Sequence, residues 1–180
     1  MKINKKMAVF LCMALICGFL VLPVQAATFM NCGDADGKIT VQSYKDKYSA
    51  KWTKIIDKSI AAWNDSSANV NISVSAQSKN VIKAKRYNDT WYGLTTQTHN
   101  KTSGYTSKFI IKVNTKTIKA KATNYSKFAR STVTHEFGHV FWLADNPNTK
   151  KSSIMKYDRD RNTMVKPQQF DIDNVNKKYK

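Results

Sequence analysis

The chain has 180 residues, of which 30 are Lys or Arg and 12 are Asp or Glu, for a formal charge of +18. That length suits one domain with a real core, and three cysteines are too few for a disulfide scaffold. Lysines are spread along nearly every segment and no aromatic-basic motif of nucleic-acid binding is present, so nucleic acid is not an expected partner. A solvated basic surface favours an anionic cell-surface polymer instead.

Residues 1–26 read as a secretory signal peptide, with Lys2, Lys5 and Lys6, an apolar run over residues 9–22, and Val24, Gln25 and Ala26 as a cleavage site. The run is short for a membrane span and no later stretch is long or apolar enough for one. A secreted, extracellular protein without a transmembrane anchor is therefore expected, with retention at the cell surface through its charge. Without the three leader lysines, residues 27–180 carry 27 basic and 12 acidic residues, a formal +15 over 154 residues, in what should be a single monomeric domain. Cys12 and Cys17 leave with the leader. Cys32 alone remains, so no intramolecular disulfide can form and core packing plus bound metal must supply stability.

Residues 31–37, NCGDADG, are a turn by composition; Asp34, Asp36 and Gly37 begin like a calcium loop whose closing acidic residue is missing. Residues 39–44 alternate as a first strand. Over residues 48–63, Trp52, Ile55, Ile56, Ile60 and Trp63 form one helical stripe, which reads as core. Further strands are expected at residues 70–75, 81–87, 91–98 and 108–114, the third of these polar and threonine-rich in the manner of an exposed edge. His99 lies just beyond that strand and reads as a surface residue. A loop over residues 115–125 leads to a helix capped by Ser126, with Phe128, Ala129, Val133, Phe137, Val140 and Phe141 on its buried side. The order strand, helix, four strands, helix is that of an α/β chain of the α+β kind, with no linker dividing it.

The last of these helices carries His135, Glu136 and His139 in the stretch HEFGHVFWLAD. Histidines four apart lie one turn above each other on one helix face, the spacing at which two imidazoles bind one zinc ion. Glu136 then stands beside the metal, where a general base for a zinc-bound water has to be. Chance is a weak explanation, because the chain has three histidines and one glutamate. Shuffling that composition places histidines at both positions around that glutamate about once in five thousand times.

A catalytic zinc site normally takes three protein ligands and a water. Asp145, six residues after His139, is the candidate third. On a continuing helix it would lie about 240° round from the histidine face, so it reaches the metal only if the helix breaks near Trp142. The stretch resembles the metzincin signature HExxHxxGxxH, with aspartate in the third place as in the snapalysin family. Met155 in SSIMKYD resembles the Met-turn methionine, and Ser153, Ile154 and Met155 match the matrixin pattern. Tyr157 stands where astacins and serralysins carry a tyrosine that approaches the zinc. Residues 166–180 are similar to the last matrixin helix, with Pro167 suited to its first turn and Phe170, Ile172, Val175 and Tyr179 facing inward. Cys32 and Gly33 have a short likeness to the matrixin cysteine-switch segment. The chain departs from the signature at Trp142, which occupies the glycine position: either the turn takes another geometry, or the helix runs on and Asp145 is not a ligand.

The resemblance implies a metzincin-like fold with a twisted five-stranded mixed sheet, an active-site helix and a C-terminal helix. It implies a secreted zinc metalloendopeptidase with metal ligands His135, His139 and Asp145 and catalytic residues Glu136 and Tyr157, the latter assisting the oxyanion or weakly ligating the zinc. A peptide or protein substrate would pair along the strand at residues 91–98. The alternative is a catalytically silent secreted protein on the same scaffold, binding an anionic wall polymer or a protein partner.

Overall fold

The computed structural model describes residues 28–180; the expected signal peptide lies outside the described residues. Strand β1 (Lys38–Gln42) turns Ile39 and Val41 inward, and helix α1 (Ala50–Asn64) buries Ile55, Ile56, Ile60 and Trp63 while Trp52 stays half-buried. Strand β2 (Asn71–Ser75) returns parallel to β1, with Ile39 opposite Ile72. Parallel strands need a crossover of a dozen or more residues, and α1 supplies it.

Strands β3 (Val81–Lys85), β4 (Gly93–His99) and β5 (Thr106–Asn114) form a second sheet in the order β3-β5-β4, parallel for the first pair and antiparallel for the other. The strands therefore make sheets of two and three rather than one ladder of five. The interruption has a local cause. Where β1 would pair with β3, Ser78 Oγ (2.9 Å) and Asn80 Nδ2 (2.9 Å) both donate to the Thr40 carbonyl, so side chains occupy an acceptor a ladder would use. One backbone bond, Gln42 N–H to Asn80 O at 2.8 Å, still joins the two edges.

The expected loop after β5 contains a short helix, α2 (Thr115–Lys121), held by the Asn114 side chain accepting from Lys116 N–H and by burial of Ile118. Helix α3 (Tyr125–Val140) is capped by Asn124, whose side chain accepts from Lys127 N–H at 3.0 Å, and not by Ser126. Ten consecutive residues from Ser131 to Val140 are buried, so this helix is enclosed on all sides and its sequence is only weakly amphipathic. Trp63 Nε1–H donates to Thr134 O at 2.9 Å, fixing α1 against it. Helix α4 (Gln169–Lys178) starts two residues after Pro167, which therefore lies outside its first turn: Gln168 is the cap, and the Asp171 carboxylate accepts its N–H at 2.8 Å. Ile172, Val175 and Tyr179 face inward, and Phe170 is half-buried. No helix among the described residues is long and apolar enough to cross a membrane.

Candidate metal centre

Helix α3 ends at the break that a metal-ligand role for Asp145 would need. Leu143 N–H donates to Gly138 O (2.9 Å) and Trp142 N–H to His139 O (3.2 Å), the paired bonds of a Schellman ending, and Trp142 has φ 72°. A left-handed backbone costs a residue with a side chain about 1–2 kcal/mol. The indole offsets that cost through its contacts. It lies so close over Gly33 that a Cβ there would come within 2.6 Å of three ring atoms, and its Nε1–H donates to Asp34 O at 2.7 Å. Lys178 Nζ is 4.6 Å from the ring centroid. The following backbone pairs with the N-terminal segment, Met30 N–H to Trp142 O (2.7 Å) and Ala144 N–H to Thr28 O (3.0 Å). Of the two alternatives at Trp142 the chain takes the break, and Asp145 comes back to the histidine face.

The two rings stand 4.7 Å apart. Nδ1 of His135 is 3.0 Å from Ile154 O and Nδ1 of His139 is 2.8 Å from Leu143 O. A carbonyl only accepts, so both Nδ1 atoms carry the proton and donate. Burial first, and then the nearby Arg159 charge, holds the His135 pKa down to about 3, so this ring is neutral and its Nε2 is a bare lone pair. Oδ1 of Asp145 stands 3.0 Å from that Nε2 and 3.6 Å from Nε2 of His139. Burial acts to raise the Asp145 pKa, but the two histidines beside it and the Arg159 charge outweigh burial and hold the carboxyl below its ordinary value. Three acceptors thus converge, an arrangement that is repulsive unless a metal cation or a shared proton lies between them.

The donor set fits zinc. Ligands 2.0–2.1 Å from a tetrahedral ion are about 3.3 Å from one another, and 3.0 and 3.6 Å straddle that value. His135, Glu136 and His139 also place a ligand atom each within 4.8 Å of one another. Glu136 has another partner, however: Thr95 Oγ1–H donates to its Oε2 at 2.8 Å. Its Oε1 is 4.0 Å from His135 Nε2, beside the triangle and not within it. Burial raises the Glu136 pKa, with His139 and the Thr95 hydrogen bond acting against the shift. Gly93 on β4 makes room for this carboxylate, since a Cβ there would fall 2.2 Å from Oε1.

No family model matches the chain and no curated protein matches it. Among solved structures it is similar to a chain of the GM1-bound form of the ECX AB5 holotoxin, with a TM-score of 0.56 and 14% identity over 85% of this chain and 86% of that one. At that identity the likeness concerns the fold.

Met155 is buried directly beneath the helix, where a Cβ on Gly138 would come 2.6 Å from its sulfur. The turn that carries it is held by Asp171, whose carboxylate accepts from Ser153 Oγ–H and from Ile154 N–H. Tyr157 is 58% exposed at the mouth of a cavity of about 570 Å³ in front of the histidines. Burial, and then the adjacent Asp145 carboxylate, push its phenol pKa up. Sequence reasoning missed Gly93, Thr95, Arg159 and Arg161, all lining this cavity. No local sequence signal marks them; their places arise from strands and turns packed across α3.

Other residues singled out in the sequence are not brought to the site. Cys32 is buried, with burial raising its thiol pKa and Gln97 Nε2–H pointing to its sulfur at 3.5 Å. It is a packed thiol here. His99 ends β4 with its Nδ1 buried and unpartnered. Asp34 and Asp36 accept backbone N–H groups of Asp36, Gly37 and Lys38, as in a plain turn, and Gly37 has φ +78°. On the turn after Tyr157, Asp158 forms a surface pair with Lys156 at 3.8 Å, and Asp160 closes a turn by accepting from Asn162 N–H at 2.8 Å.

Proposed function

We propose that this chain is a secreted zinc-dependent endopeptidase of the metzincin kind, acting on peptide or protein substrates. The observation that carries the reading is the convergence of His135 Nε2, His139 Nε2 and Asp145 Oδ1 beside a buried glutamate that is not one of them. Those three residues would hold a zinc ion, which when bound would supply Lewis-acid polarisation of a carbonyl and lower the pKa of water toward neutrality. Glu136 takes a proton from the attacking water and returns it to the leaving amine, a task that suits a carboxyl whose pKa burial has raised. Thr95 fixes the orientation of that carboxylate. Tyr157, exposed at the cavity mouth, would donate to the developing oxyanion.

β4 is at an edge of its sheet and lines the cavity through Gly93, Leu94 and Thr95, so an extended substrate would pair along it by main-chain hydrogen bonds. In this reading the two sheets are parts of one twisted five-stranded mixed sheet, joined at Gln42 and Asn80. The leader at residues 1–26 gives export, and the basic surface gives retention on anionic polymers.

The test is cleavage of casein, with and without a zinc chelator, alongside Glu136→Ala. Chelator-sensitive cleavage that the variant lacks supports the proposal. Zinc binding without cleavage favours the catalytically silent alternative, and absence of zinc binding defeats both forms of the metal reading.

A further inference from the structure

The cavity in front of the histidines is ordered along α3. At one end Asp145 faces His139 and His135. One turn back along the helix, Arg159 Nε–H points to Ser131 Oγ at 3.4 Å. Close to a further turn back, the Arg161 guanidinium lies 6.0 Å from the Phe128 ring centroid and 5.1 Å from that of Tyr92. At 1.5 Å of rise per residue, the run from His135 to Phe128 is about 10 Å, the span of two or three residues of an extended peptide.

Arg159 is the unusual member. It is 8% exposed, yet among the described residues no carboxylate lies within 4.0 Å of its guanidinium. Its Nη1–H donates to Lys156 O at 2.6 Å, and Nη2 makes no hydrogen bond there. The acidic residues whose field reaches it are committed elsewhere: Glu136 to Thr95, Asp145 to the histidines, and Asp171 to Ser153, Ile154 and Gln168. Burial first, and then Arg161, lowers its pKa to about 9, which leaves it cationic at neutral pH. A buried charge without a counter-ion is costly, by several kcal/mol, and a guanidinium with a free edge is shaped for a carboxylate.

We propose that Arg159, backed by Arg161, forms a carboxylate-recognition subsite in the cavity, selecting substrates that carry a carboxylate within two or three residues of the scissile bond. The inference rests on the peptidase reading and adds to it a substrate class. The carboxylate has two sources, an Asp or Glu side chain or the free C terminus of a peptide, and the chemistry at Arg159 is the same for both.

Calorimetric titration of the chelator-treated protein separates them without any need for turnover. Three otherwise identical neutral peptides serve as probes: one with an internal Asp and an amidated end, one with Asn and an amidated end, and one with Asn and a free C terminus. A carboxylate peptide is expected to bind at least about tenfold tighter than the Asn amide, and Arg159→Gln to remove the advantage. Tighter binding of the Asp peptide assigns the side chain as the source, and tighter binding of the free-ended peptide assigns the terminus. Equal binding of all three, or an advantage that survives both Arg159→Gln and Arg161→Gln, overturns the proposal. Should Arg159→Gln fail to fold, the partly exposed Arg161→Gln, expected to weaken the preference severalfold, and the wild-type comparison still decide. Preference without cleavage would defeat the peptidase reading alone, and cleavage without preference would defeat the subsite alone.

Discussion

Asp145 Oδ1 stands 3.0 Å from His135 Nε2, and the backbone of Trp142, at φ 72°, is what places it there. A bulky residue holds the position where a glycine would be unstrained, and the indole seat over Gly33 and Gly104 is the physical reason it can.

Trp142 therefore has opposed effects. Trp142→Gly relieves about 1 kcal/mol of left-handed strain but loses the packed indole and its bond to Asp34 O, for a net destabilisation of about 1–2 kcal/mol. Trp142→Ala loses the same contacts and keeps the strain. Urea denaturation should rank wild type above Trp142→Gly and that above Trp142→Ala; the reverse order of the two variants would mean the turn is not strained.

Gly93→Ala should act on chemistry and spare the metal. The added methyl meets Glu136 Oε1 at 2.2 Å and Thr132 Cγ2 at 2.7 Å, so the carboxylate must move while His135 and His139 keep their places. Peptide cleavage should fall by about a hundredfold or more with zinc stoichiometry unchanged. Loss of zinc in this variant would instead make Glu136 or β4 part of the metal cage.

The acid limb of activity reports Glu136. Its pKa is raised by burial, so the base becomes protonated, and activity falls, at a pH above the ordinary glutamate value as the solution is acidified. The Thr95 hydrogen bond favours the ionised form. Thr95→Val should therefore move the acid limb of kcat/KM to higher pH, and a shift to lower pH would contradict the assignment of Glu136 as the base.

Much of the frame was legible because it follows periodicity. The Trp52 to Trp63 stripe and the alternation at Phe109, Ile111 and Val113 mark elements whose apolar faces must be buried, and those elements are present. Helix α2 was not legible, since its seven residues bury a single side chain, Ile118, and depend on the Asn114 cap. The cap of α3 is Asn124 and not Ser126, and α4 starts beyond Pro167, which was expected in its first turn: the bonds to Asn124 and Asp171 decide both starts, and neighbouring turn residues compete for the role. In the site, His135, Glu136 and His139 were legible from helical spacing alone. Arg159 was not, because Asp158 and Asp160 beside it suggest a solvated charge run, and only the packing of its turn against Ser131 turns it inward. The single five-stranded sheet was expected from resemblance; Ser78 and Asn80 bonding to Thr40 divide the ladder.

Zinc content per chain, measured by atomic absorption after dialysis of the wild type, His139→Ala and Asp145→Ala, bears most directly on the three converging acceptors. The wild type should retain one zinc, His139→Ala none, and Asp145→Ala should bind it about a hundredfold or more weakly, since even outer partners of metal ligands contribute ten- to a hundredfold. A wild type that binds no zinc at micromolar concentration would contradict the metal centre, and full retention by Asp145→Ala would remove Asp145 from it.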